Sequence, residues 1–181
     1  MAAGVPSPPL AHRRDRKDMA DTDLTARLAA LESRQRALED ELAIMRLIAS
    51  YGPAVDTRNA QATAALWAED GSYDFGGPRL DGAKAVGALV DLDTHRDFVA
   101  RGCAHVLSLP LVTLDGDRAT AICYSQVLVA DGDGWRAARV SANRIHLARG
   151  AGGWRIITRE TRLLDGSEAA RALLSLEKEA P

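Results

Sequence analysis

Three turn signals in the second half of the chain constrain its fold more than any other feature. Asp115-Gly-Asp117, Asp131-Gly-Asp-Gly134 and Gly150-Ala-Gly-Gly153 separate four runs, of which 104–114 alternates and 118–130 is rich in Ala, Ile, Val and Tyr. Asp-Gly and Gly-rich pairs between such runs read as hairpin turns, because glycine accepts the positive φ that a tight reversal needs. The runs 104–114, 118–130, 136–149 and 154–164 are therefore predicted to be four strands of an antiparallel meander.

The first half reads as helical. Asp21 or Thr22 can cap a helix, and Leu24, Leu28, Leu31, Gln35, Leu38, Leu42, Met45 and Ala49 follow. From Leu28 the steps alternate between three and four, the a/d spacing of a heptad. Arg27, Glu32, Arg34, Arg36, Glu39, Asp40 and Glu41 fill the positions between. One long helix from about Thr22 to Tyr51 is predicted, with a narrow apolar seam that meets another subunit or folds across its own domain. Gly52-Pro53 should kink or end it, with a short continuation through Asp56.

Asn59 then opens a second helix, with Ala62, Ala65, Leu66 and Trp67 as its buried stripe and Glu69-Asp70-Gly71 as its end. Ser72 to Phe75 reads as a short strand and Gly76-Gly77-Pro78 as a turn. Leu80-Asp81-Gly82 leads into a third helix at about Ala83 to Asp91. The polar stretch 92–102 stays ambiguous, and Glu168 to Glu179 reads as a terminal helix. Helices followed by a meander indicate an α+β domain. The expected organisation is a disordered tail (1–20), a helical extension with the heptad seam (21–40), the main domain (41–166) and a C-terminal helix or tail (167–181).

Composition excludes several classes. The 181 residues are 46% hydrophobic and 27% charged, an ordinary globular mix able to bury a core. A formal net charge of −2 argues against a nucleic-acid partner. No apolar run is long enough for a membrane span. Arg13-Arg14 is followed by no apolar stretch, so neither a secretory nor a twin-arginine signal is expected. Met19 reads as a start of its own, with the preceding residues as an upstream extension. Cys103 and Cys123 lie in no CxxC pair, so a structural zinc site is not expected, and two free thiols fit a reducing cytoplasm.

The order of several pieces resembles one family. They are Tyr51 and Asp56 at the helix end, Ala65-Leu66-Trp67-Ala-Glu-Asp70-Gly-Ser-Tyr73-Asp, Leu80-Asp-Gly82, Ala104-His105, Leu114-Asp-Gly-Asp117-Arg-Ala and Gly153-Trp154-Arg-Ile. Together they resemble the SnoaL-like branch of the nuclear transport factor 2-like superfamily, over roughly Glu41 to Leu164. The resemblance implies a cone: three helices and a curved antiparallel sheet closed around an apolar pocket. It also implies dimers or trimers. Within the superfamily, scytalone dehydratase and hexachlorocyclohexane dehydrochlorinase pair an Asp at the helix end with a His at a strand start. Asp56 and His105 match those positions. Ser141-Ala-Asn143 resembles the Ser-x-Asn of the dehydratase. That enzyme's second His is replaced here by Ser125, and a tyrosine it uses falls near Phe75. The dehydrochlorinase-like pair is the closer chemical match.

The chemistry of such a pair is simple. A carboxylate on one ring nitrogen fixes the imidazole tautomer and stabilises its charged form, leaving the other nitrogen to take a proton from carbon. The implied activity is a lyase or isomerase that needs no cofactor or metal and acts on a small apolar ring compound. Asp56 and His105 are the expected catalytic residues. Tyr51, Trp67, Tyr73, Phe75, Ser125, Ser141 and Asn143 are the expected substrate contacts. Strand alternation sets Ser141, Asn143, Ile145 and Leu147 on one face. His95, in Asp93-Thr-His-Arg-Asp, is expected to be solvated or to belong to a lid. Arg139, Arg144, Arg155, Arg159 and Arg162 are expected on the outer face of the sheet. The alternative readings are a non-catalytic carrier of small hydrophobic molecules and an oligomeric interaction module.

Overall fold

The computed structural model describes residues 10–176. The first nine residues of the expected tail and residues 177–179 of the predicted terminal helix lie outside the described residues. The chain divides into two compact units, Met1–Asp40 and Glu41–Pro181.

The described residues of the first unit lie in one helix, α1 (Leu10–Ala49), which starts well ahead of the expected Thr22. Residues 23–39 are all exposed, including Leu24, Leu28, Leu31 and Leu38 of the predicted seam. No helix among the described residues is long and apolar enough to cross a membrane.

The second unit begins with the last turns of α1. There the buried stripe is not the seam but Ile44 and Ile48, which join the core at 0% and 1% exposure while Met45 is half-buried and Ala49 exposed. Pro53 has no N–H to offer the carbonyl of Ala49, so α1 stops and the chain restarts as α2 (Tyr51–Asp56). Asn59 caps α3 (Ala60–Ala64) by accepting the Ala62 N–H at 2.8 Å.

Here the sequence reading needs correction. The predicted second helix ends at Ala64, and Trp67 opens a strand, β1 (Trp67–Asp74). The cause is non-local. Leu66 O accepts the Ile156 N–H at 2.9 Å, and β1 runs parallel to the last strand of the sheet, about ninety residues on.

β2 (Leu80–Asp81), α4 (Ala83–Gly87), a 3-10 turn (Ala88–Asp91) and α5 (Asp93–Arg101) complete the helical half. The predicted first meander strand is two strands, β3 (Cys103–Leu107) and β4 (Leu111–Asp115), broken at Pro110. Both pair with β5 (Arg118–Asp131), followed by β6 (Gly134–Gly150), β7 (Gly153–Leu163) and α6 (Glu168–Leu173). The glycines at the tight turns do what the sequence required, with positive φ at Gly116, Gly132 and Gly153.

The result is an α+β architecture with a seven-stranded curved sheet in the order β2-β1-β7-β6-β5-β3, β4 pairing with β5. Along β6, Ser141, Asn143, Ile145 and Leu147 share the buried face, as strand alternation required. Val55, Val86, Val90, Ile145 and Ile156 form the centre of the core.

Candidate functional site

The site starts from a close crossing of α2 over β3. Any side chain at Gly52 would collide with the backbone carbonyl of His105, so only glycine lets the helix lie this close to the strand. One turn later Asp56 ends α2 directly over the same residue. Its Oδ2 accepts the His105 backbone N–H at 2.8 Å, and its Oδ1 meets the His105 Nδ1 at 2.6 Å. The Cys103 thiol donates to Oδ1 at 3.5 Å.

Burial pushes the Asp56 carboxyl up, but the bonds from the His105 ring and backbone outweigh it and hold it below its ordinary value. Asp56 is then an anion that can only accept, so in the neutral ring Nδ1 is the nitrogen that carries the proton and Nε2 the one with the lone pair. Burial, with the Asp56 charge beside it, pushes the Cys103 thiol up to about 11, so it stays protonated. Asp56, Cys103 and His105 bring three ligand-type atoms within 4.8 Å of one another. Oδ1 and Nδ1 are already engaged with each other and Oδ2 with the His105 backbone N–H, which is the geometry of a hydrogen-bonded dyad.

His105 faces a cavity of about 360 Å³. Of the predicted substrate contacts, Tyr51, Tyr73, Phe75, Ser125 and Ser141 line it. Trp67 and Asn143 do not, and they need correction. Trp67 packs behind Tyr51 and Tyr73 with ring centroids 6.0 Å from each, and its indole N–H donates to Ser72 O at 3.3 Å. Asn143, fully buried, donates to Ser125 Oγ at 2.9 Å and accepts from Thr161 Oγ1 at 2.7 Å. Asp56 stands behind His105.

Two further side chains belong to the cavity wall. His95, expected either in solvent or in a lid, is 6% exposed and lines the cavity. Its Nε2 donates to Val55 O at 2.9 Å, and its ring centroid lies 5.3 Å from that of His105. Burial is the main cause that lowers its pKa, so it is neutral near pH 7. The charged neighbours Asp93, Arg96 and Asp97 concealed it, since only the formed helix α5 turns it inward while they stay exposed.

Arg159 was placed on the outer face and is instead buried in the cavity wall at 2% exposure. Its Nε and Nη2 donate to Asn143 Oδ1 at 3.1 and 2.8 Å. The guanidinium carbon lies 4.2 Å from the Tyr51 ring centroid and 4.8 Å from that of Tyr73. Burial disfavours its charge, but Tyr73, Tyr51 and Cys123 outweigh that, and its pKa is raised. Tyr51 is raised in turn, first by burial, and keeps its proton. The misplacement has a local cause. A bulge at Ile157 shifts the β6–β7 register, so the buried set on β7 changes from Trp154 and Ile156 to Arg159 and Thr161. Arg139 also lines the cavity, its guanidinium 5.5 Å from the Phe98 ring centroid. Arg162 pairs with Asp74 at 2.7 Å, away from the cavity lining.

Comparison with known proteins gives the fold its relatives. Residues 36–160 match the family profile of the SnoaL-like domain. A crystal structure of an NTF2-like protein with a cystatin-like fold from Novosphingobium aromaticivorans is 47% identical, with a TM-score of 0.80, covering 82% of this chain and 97% of that one. A protein of unknown function from Mycobacterium tuberculosis is 24% identical over 77% of this chain and 87% of its own, at a TM-score of 0.64. A candidate aromatic ring hydroxylase from Novosphingobium aromaticivorans is 24% identical over 70% of this chain and 90% of its own, at 0.58. The last two likenesses concern fold alone. No curated protein matches the chain.

Proposed function

Because the chain belongs to the SnoaL-like family of the NTF2-like superfamily, whose pocket serves no single reaction, we propose from its side chains that it is a lyase or isomerase acting on a small apolar ring compound. The observation that carries this reading is the double hold of Asp56 on His105, through the ring at 2.6 Å and the backbone at 2.8 Å. A base held at two points loses little freedom when it reaches for a proton. His105 Nε2 takes a proton from a substrate carbon, and Asp56 stabilises the imidazolium that results. The electron pair left behind expels a neighbouring group or shifts a double bond.

Arg159, fixed on Asn143, and the protonated Tyr51 hydroxyl supply positive potential where an oxygen or leaving group gains charge. Phe75, Leu107 and Phe98 give the ring compound its apolar walls. The cavity suits a ligand of one or two rings. Ser141 and Ser125 supply polar contacts. No step in this scheme calls on a cofactor. We place the protein, as a homo-oligomer, in the reducing cytoplasm that its free thiols Cys103 and Cys123 suit.

The test is incubation in D2O with cyclic ketones carrying a β-hydroxyl or β-chloro group. The expected result is release of water or chloride with loss of the α hydrogen, or deuterium at the α carbon where the group is retained. His105→Gln should lower the rate by about a hundredfold or more. An unchanged rate in that variant refutes the mechanism. Ligands that bind the wild type, seen by thermal shift, yet neither exchange nor react would identify a carrier instead.

A further inference from the structure

The function proposed for the pocket makes no use of the first unit, and that unit carries its own pattern. Leu24, Leu28, Leu31, Leu38 and Leu42 are between 47% and 67% exposed, on one continuous helix. A stripe of leucines at heptad spacing gains only when a second apolar stripe covers it. The spacing assigns Leu28, Gln35 and Leu42 to a positions and Leu24, Leu31 and Leu38 to d positions. In the sequence the next core positions upstream are Asp21 and Lys17, so the apolar run ends at Leu24.

The flanking charges identify the partner. With this register Arg27, Arg34 and Glu41 are g positions, and Glu32, Glu39 and Arg46 are e positions. In a parallel pair, each g residue faces the e residue five positions later on the other helix. Arg27 then meets Glu32, Arg34 meets Glu39 and Glu41 meets Arg46, so every facing pair is of opposite sign. An antiparallel pair matches e with e and brings Glu32 and Glu39 together along one edge. Arg27 lies 4.0 Å from Asp23 within the helix, both more than 70% exposed, a weak contact that leaves it able to reach across. Gln35 interrupts the leucines at an a position, with its amide 2.8 Å from Glu39 Oε1. One polar a residue favours the alignment that sets it against its own copy.

We propose that the exposed leucine stripe of α1 forms a parallel, in-register two-stranded coiled coil, and that its partner is a second copy of this chain. The helix pairs through Leu24 to Leu42, with Gln35 opposite Gln35 and Arg–Glu pairs along both edges.

The test uses the full chain carrying Leu24→Cys, oxidised and digested. The expected product is a disulfide between the two copies of position 24, identified by peptide mass. Adding Leu31→Glu and Leu38→Glu should abolish it and lower the solution mass by half. Arg27→Glu with Arg34→Glu should weaken association on the order of tenfold, because facing pairs become like-charged. Mixing that variant with one carrying Glu32→Arg and Glu39→Arg should restore the cross-link between the two, since each g–e pair is again opposite. A cross-link as abundant in the Leu31→Glu/Leu38→Glu protein overturns the proposal. So does a three-stranded mass, or charge-reversed variants that associate alone as well as they do mixed.

Discussion

In α1, from Asp23 to Glu39, leucines face water; on β6 and β7 an arginine, an asparagine and a threonine are buried. Both regions place side chains against their polarity, and they do so in opposite senses. The buried group is complete within the chain: Asn143 Oδ1 accepts from Arg159 and Thr161, and two tyrosine rings cover the guanidinium. The exposed leucines have no such cover among the described residues of their own chain. Polarity alone thus ranks neither region. What matters is whether the partners that would satisfy each group lie within the same chain.

The strongest way to break this comparison is Asn143→Leu. It removes the acceptor that holds Arg159 and leaves a buried cation short of partners, so urea unfolding should show a loss of about 3–5 kcal/mol. A loss below about 1 kcal/mol would mean that Arg159 finds water and that the wall is ordinary surface. A smaller, pH-dependent effect belongs to His95. Its folded pKa lies below the ordinary 6.5, so as pH falls through 6.5 the unfolded chain binds the proton first. Its contribution to stability is whole above pH 6.5 and is lost as pH falls from there toward the folded value. His95→Gln cannot titrate, so the wild type should lose ground relative to the variant between about pH 7.5 and about pH 5.5. An equal difference at both values would place His95 in solvent. The smallest effect is expected for Leu28→Ser. In protein diluted until copies separate, it should alter unfolding by less than about 0.5 kcal/mol, because the side chain it shortens is already in water.

The sequence made some of this legible and hid the rest for physical reasons. The meander was readable because its turns are local and written in Asp-Gly and Gly-Gly. The Asp56–His105 juxtaposition came from family order, since 49 residues separate the two and no spacing rule spans that distance. Arg159 was hidden by one extra residue at Ile157, because a bulge inverts every inside/outside assignment beyond it. Trp67 carried helical spacing from Ala62 onward, and only pairing with β7 draws it into a strand. The heptad spacing was plain. That the buried stripe of the same helix shifts to Ile44 and Ile48 was not, because nothing local distinguishes Ile44 from Met45.

The crossing at Gly52 has a consequence for how this protein can change. Because a glycine and a carboxylate weld α2 to β3, the wall that carries the proposed base is held as one part. The groups that would read the substrate hang on other strands: Ser125 on β5, Ser141 on β6, Arg159 on β7. The proposed chemistry and the proposed recognition thus rest on separate pieces of backbone. A lineage can exchange one molecule for another by rewriting the far wall, residue by residue, without disturbing the part that holds the proposed base.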